Sequence, residues 1–302
     1  MITNGNTQIA SVYLGETRIK SIYKGSEVIY ASGASVTVTA PHATYTGSMD
    51  VDLGDSYTAT LVADTGYVIM SVVVTMGGVE ISAYSEGVIT IAEVTGDIVI
   101  TATTVKEYDV LEYIAIDREG YYGVIDTGVT GSKNIKIEAD YMLTAHRTTI
   151  SSPNALFGAE TGFTNNSFTF MAEANVQGRA YFCLGNANKI VNGLSLNTKY
   201  HVEGGTTFKL NGTTETLNPP AFTTPQSIRI FTIGRVGYAQ TNALFLGKLY
   251  SLKIYNGSTL VRDYEPRRRN TDNMVSLFDK VNNVFYLPDN NIPYVAGTIV
   301  ED

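Results

Sequence analysis

At 302 residues the chain is long enough for two or three domains, each with its own core. Hydrophobic residues make up 44% and charged residues 17%, which excludes a disordered tail and a coiled coil, and a formal charge of -8 excludes the basic field that a nucleic-acid surface needs. A single cysteine, Cys183, rules out a disulfide framework and any multi-cysteine metal site.

The opening MITNGNTQIA has neither a basic n-region nor an apolar h-region, so no signal peptide is expected. No run approaches the roughly 18 apolar residues of a membrane span, so membrane insertion is not expected either. The stretch IASVYLGETRIKSIYKGSEVIY repeats itself: Ile9, Ile19 and Ile29 recur every ten residues, as do Ser11 and Ser21, Tyr13 and Tyr23, and Gly15 and Gly25. Gly15 and Gly25 sit between β-rich runs, where glycine supplies the positive φ of a tight hairpin. The pattern predicts a three-strand β-meander over 9–13, 17–23 and 27–31. Three short strands bury little surface, so residues 1–32 are expected to anchor on a partner chain or to oligomerise. The small-residue run Ala31-Ser32-Gly33-Ala34-Ser35 marks a hinge.

Residues 33–106 alternate strongly, in SVTVTA, MDVDL, SYTATLVA, YVIMSVVVTM, VEISAY, GVITIAEV and DIVITATTV, with glycine-bearing turns between them. Seven short strands at this spacing predict an immunoglobulin-like β-sandwich. From 107 to 302 the strands lengthen and the loops fill with asparagine, without any helical period. Asn211-Gly212 and Asn256-Gly257 are hairpin signals. This part reads as one large antiparallel sandwich, which makes the whole chain all-β.

Three stretches carry a resemblance. GKLYSLKIYNGSTLVRDYEPRRR, followed by MVSLFDKVNNVFY, resembles the C-terminal end of concanavalin/laminin-G-like jelly-roll domains found in phage tail and receptor-binding proteins. EYIAIDREGYYGVIDTGV, residues 112–129, is similar to the entry strand of that domain, and the 66–104 stretch is similar to small bacterial immunoglobulin-like modules. The opening repeat resembles N-terminal segments of phage tail components. Relatives close with an Asn-x-Gly-x-Gly-like turn where this chain has Pro288-Asp289-Asn290-Asn291. The resemblance implies a non-enzymatic virion component, assembled in the host cytoplasm and extracellular after lysis. It would join other virion proteins through residues 1–32 and form a homo-oligomer.

Some jelly rolls hydrolyse glycans with paired carboxylates on one strand face. IKIEADYML offers Glu138 and Asp140, but the position for a second glutamate is Leu143. No enzyme is expected on that count. His42, His146 and His201 are scattered without metal spacing, and Cys183 lies in an apolar context that suits a small buried side chain. Asp279 and Asp289, with Asn282, Asn283, Asn290 and Asn291, are calcium candidates, yet the same residues suit an Asx-rich turn, and no cofactor is the preferred reading. Arg267-Arg268-Arg269 offers guanidinium forks to an anion, or pairs with local acids.

Recognition is left to loops and faces. With no tryptophan in the chain, tyrosine must carry stacking on a sugar, and amides its hydroxyls. Asn165, Asn166, Tyr181, Asn186, Asn188 and Tyr238 are the predicted glycan-contact residues, directed at host cell-surface carbohydrate.

Overall fold

The computed structural model describes residues 33–118, 123–146, 154–161, 166–173, 176–235, 245–288 and 291–301, together with the backbone of short strands between 3 and 31. Every regular element among them is a β-strand. The chain divides into two compact units, 1–107 and 108–302.

The opening repeat folds as three two-stranded antiparallel hairpins rather than as one continuous meander: Thr3–Asn4 with Thr7–Gln8, Val12–Leu14 with Thr17–Ile19, and Ser21–Lys24 with Glu27–Ala31. The innermost pairs are Asn4↔Thr7, Leu14↔Thr17 and Lys24↔Glu27. The two residues that separate each pair in the sequence are Gly-Asn, Gly-Glu and Gly-Ser, a composition suited to a two-residue hairpin turn. One decade of sequence is therefore one hairpin, and the expected middle strand over 17–23 is shared between two of them.

The sandwich of the first unit pairs a four-stranded sheet with a five-stranded one. The four-stranded sheet runs Tyr84–Ser85, Val88–Ile91, Tyr57–Ala63, Ala43–Thr46, and the five-stranded sheet runs Val79–Ile81, Tyr67–Met76, Ile98–Lys106, Gly33–Thr39, Asp50–Asp52. Alternation places Tyr57, Ala59, Ile89 and Ile91 from one sheet against Val36, Val74, Ile98 and Ile100 from the other. Gly33–Thr39 lies parallel to Ile98–Lys106, in the register Val36↔Ile98 to Thr39↔Thr101.

The second unit stacks an eleven-stranded sheet on a seven-stranded one. The larger sheet runs Thr213–Thr216, Thr207–Leu210, Lys199–Gly204, Ile135–Leu143, Gly247–Asn256, Thr259–Arg269, Met274–Asp279, Val284–Tyr286, with Tyr108–Val110, Ile114–Ile116 and Val295–Ala296 added at its margins. The smaller runs Ile125–Ser132, Thr223–Ile230, Asn154–Glu160, Ser167–Glu173, Ala180–Gly185, Ala187–Val191, with Gly234–Arg235 lying parallel to Asn154–Glu160. Asn211-Gly212 makes the expected turn, both residues at positive φ, 47° and 76°. At the second signal the pairing Asn256↔Thr259 leaves Gly257-Ser258 as the turn, one residue later than the Asn-Gly pair.

Phenylalanines join the two layers. Phe182 of the smaller sheet stacks on Phe208 of the larger, centroids 5.0 Å apart and planes 7° from parallel, and Phe168 meets Phe182 edge to face at 5.7 Å. Tyr141 reaches from the larger sheet to Phe170 at 5.6 Å. All five rings are fully buried.

Candidate functional site

The two outer faces of the second unit differ in access. Along Ile135–Leu143, buried residues alternate with half-buried ones, so the larger sheet has one face in the core and one open. Asn154–Glu160 and Ser167–Glu173 are buried throughout, so the middle of the smaller sheet is covered on both sides.

The described members of the predicted contact set lie on the smaller sheet. Ser167 pairs with Gly185 and Cys183 with Asn188, which gathers Asn166, Asn186 and Asn188, all exposed, at one end of it. Asn166 (φ 51°) precedes its strand, and Asn186 follows Gly185 (φ 64°) in the tight turn between Ala180–Gly185 and Ala187–Val191. Tyr181 shares the Cys183 and Asn188 face but packs under cover against Ala155, Met171 and Ile233. Burial pushes its hydroxyl up to about 12, with the neighbouring Cys183 and Glu160 adding to the shift. Burial also raises the Cys183 thiol, against opposing hydrogen bonds with Tyr181 and Ser167, which leaves it a protonated and poor nucleophile. Asn165 and Tyr238 lie outside the described residues.

Polar groups fasten this cover. Glu160 is 1% exposed and is paired with Arg235, whose Nε stands 2.9 Å away. Glu173 accepts from the Asn154 amide at 3.0 Å and the Gly178 N–H at 3.1 Å, and meets His146 at 2.6 Å. The Asn154 oxygen in turn accepts the Leu246 N–H at 3.0 Å.

The open face of the larger sheet carries tyrosines that the predicted set did not contain. On Gly247–Asn256, Lys248, Tyr250, Lys253 and Tyr255 emerge, with an irregularity opposite Asp140 and Tyr141 that accommodates the extra residue. Tyr113 meets Tyr250 edge to face at 5.5 Å. A lysine ammonium covers each ring: Lys248 lies 3.8 Å from the Tyr113 centroid, Lys199 4.2 Å from Tyr250, and Lys136 4.3 Å from Tyr255. Hydrogen bonding with Tyr113 raises the Lys248 pKa despite partial burial. The signal was in the strand itself, where Lys248-Leu249-Tyr250 and Lys253-Ile254-Tyr255 repeat a lysine-x-tyrosine alternation.

Glu138 and Asp140 sit on this same face. Glu138 accepts from Lys136 Nζ at 2.6 Å and from the Tyr255 hydroxyl at 3.2 Å, while Asp140 meets His201 at 2.7 Å. Burial alone would raise the Glu138 carboxyl, but Lys136, Tyr255 and His201 outweigh it and hold it below the ordinary glutamate range. That is the wrong direction for a general acid. Leu143 is buried. His42 lies flat on Tyr67, centroids 3.9 Å apart.

The arginine run pairs locally. Arg267 lies 3.9 Å above Phe278 and binds Glu265 at 2.8 Å, Arg268 is paired with Asp109, and Arg269 binds Asp272. Tyr108–Val110 registers on these three residues, so the run seats the first strand of the unit. Of the calcium candidates, Asp279 is buried and its carboxylate oxygens receive protein N–H groups, while Asn283, at φ 56°, ends the turn over 280–283. Asn282 donates to Asp279 within that turn. Asp289 and Asn290 lie outside the described residues. Among the described residues no three His, Cys, Asp or Glu side chains cluster as metal ligands.

Fold and site together define an all-β protein of two sandwich-bearing units with one open, tyrosine-lined sheet face. Compared with known proteins, the chain matches no family model and no curated sequence.

Proposed function

We propose that this chain is a non-catalytic component of a phage virion, of tail or receptor-binding type, whose larger unit holds a host-surface glycan. The observation that carries the reading is the line Tyr113, Tyr250 and Tyr255 on an open sheet face, each ring braced by a lysine. On each tyrosine the ring face turned away from its lysine would meet the C–H face of a pyranose, and the adjacent ammonium would address the sugar hydroxyls. Residues 1–32 dock on other virion proteins and the 33–106 sandwich acts as spacer. Several copies on one particle convert weak single contacts into firm attachment. The resemblance of the 112–129 and 248–286 stretches to phage jelly rolls supports the virion setting.

A rival with its own observation is a purely structural role, capsid decoration or tail association without a receptor. Lys136 and Lys209 are already paired with Glu138 and Glu203, as a face kept only for solubility would be. One experiment separates the two: pull-down of the purified chain by washed host cells and by their purified wall polysaccharide, with Tyr250→Ala alongside. Capture lost in Tyr250→Ala supports glycan contact. Absence of capture by either material supports the structural role.

A further inference from the structure

At the end of the open face, where Ile135–Leu143 begins and Thr207–Leu210 passes, lies a cleft of about 600 Å³. That is within the roughly 300–1,000 Å³ usual for ligand pockets. Its rim holds three lysines, Lys133, Lys136 and Lys209, with Glu203 and the amides of Asn134 and Asn218. Lys209 is paired with Glu203 and Lys136 with Glu138 just outside the lining, so Lys133 carries the excess positive charge. This is a cationic concavity on a chain whose formal charge is -8. We infer that this cleft takes the anionic group of an acidic glycan, a sugar bearing carboxylate or phosphate, and so fixes one end of a chain lying along the tyrosine line.

The walls are fixed before any ligand arrives. The Gly257 N–H binds the Asn134 carbonyl at 2.8 Å, which holds the 133–134 turn, and the Leu217 N–H binds the Thr206 carbonyl at 2.7 Å on the opposite side. Lys209 and Lys136 have side chains 48% and 38% exposed, so both reach solvent while bound to Glu203 and Glu138. Those carboxylates orient the ammonium groups and leave N–H donors over, since each ammonium has three. Lys133 is exposed on the rim. Lysines act here as point charges and do not demand a planar partner, so carboxylate and phosphate suit the cleft alike. The continuity with the tyrosines is direct, because Lys136 both lines the cleft and covers the Tyr255 ring.

This inference rests on the glycan reading of the open face, and its test keeps the two apart. Binding of the full chain is measured by calorimetry with three probes: oligogalacturonate, poly(glycerol phosphate) and neutral chitohexaose, each at low and high salt. The expected result is tighter binding of a charged probe than of chitohexaose, weakened by salt; which charged probe binds decides between carboxylate and phosphate. Lys133→Glu and Lys209→Gln, both at exposed positions, are expected to weaken the charged probe, the first by on the order of tenfold, and Glu203→Gln to tighten it. Equal binding of charged and neutral probes, with the lysine variants unchanged and Tyr250→Ala defective, overturns the acidic-sugar assignment and leaves the glycan reading standing. Failure of all three probes overturns the acidic-sugar assignment, and overturns the glycan reading as well if wall polysaccharide also fails to capture the chain.

Discussion

The buried Asp279 carboxylate accepts the backbone N–H of Asp263 at 3.0 Å, across the neighbouring strands Thr259–Arg269 and Met274–Asp279 of the larger sheet. The same oxygen takes the Val281 N–H at 3.1 Å, the other takes the Asn282 amide at 2.6 Å, and Arg262 stands 3.6 Å away. Asp279→Ala strands two backbone donors and the Asn282 amide at once, while Arg262 keeps its bonds to the Thr127 and Val261 carbonyls, and should cost about 3–5 kcal/mol. Chemical denaturation measures this, and a loss below about 1 kcal/mol, the worth of an ordinary surface pair, contradicts the account. Because both oxygens are committed, melting in calcium and in chelator should coincide.

Phe182→Ala tests the join between the layers. The ring is fully buried between Phe168 and Phe208, so its removal leaves a cavity with no neighbour free to fill it. Unfolding should become easier by about 3–5 kcal/mol. An unchanged denaturation midpoint would show that the layers are held elsewhere.

Tyr141→Phe should do the opposite. The Tyr141 side chain is fully buried, and its hydroxyl has no hydrogen-bond partner among the described residues. Burial accordingly pushes the phenol far above its ordinary pKa. Deleting one oxygen removes a desolvation cost and keeps the ring against Phe170, a gain of about 1 kcal/mol. A lower Tm in the variant would sink this.

The Lys136–Glu138 pair sets a pH window. Glu138 lies below its ordinary range, so its contribution is present above that range and disappears as pH falls through the lowered value. Lys136 lies above its ordinary range, chiefly through its hydrogen bond to Glu138 against the opposing effect of burial, so its contribution is present below that range and disappears as pH rises through the raised value. The stability difference between the native chain and Glu138→Gln should form a plateau across neutral pH, no higher than about 1 kcal/mol for so exposed a pair, and vanish at both extremes. A difference that persists in acid would mean that the charge is not what the substitution removed.

Alternation made most strands readable from the residues alone. Ile135–Leu143 shows its period from Ile135 to Tyr141 because one face is wet and one dry, and only Met142 on the wet face interrupts it. The same signal fails for Asn154–Glu160, which is central, buried on both sides and therefore written as an unbroken NALFGAE. The surroundings of one predicted contact residue were unreadable for a related reason. Tyr181 was expected to be available because it neighbours asparagine-rich loops, but its cover comes from Ile233, distant in sequence, and no local pattern announces a long-range roof. Tyr250 and Tyr255 were visible as lysine-x-tyrosine alternation, yet which face that alternation would expose depended on how the two sheets stacked.

The parallel pairing of Gly33–Thr39 with Ile98–Lys106 gives the first sandwich a mechanical property. Its entry and exit strands run the same way side by side, so tension applied between residues 33 and 106 slides one along the other and loads their hydrogen bonds together, in shear, instead of opening them one at a time. Force applied at those two ends would be carried by the full set of bonds between the two strands. Stretching it from those two ends should require a higher rupture force than stretching it from residues 63 and 88, which lie on the antiparallel neighbours Tyr57–Ala63 and Val88–Ile91 and peel apart bond by bond.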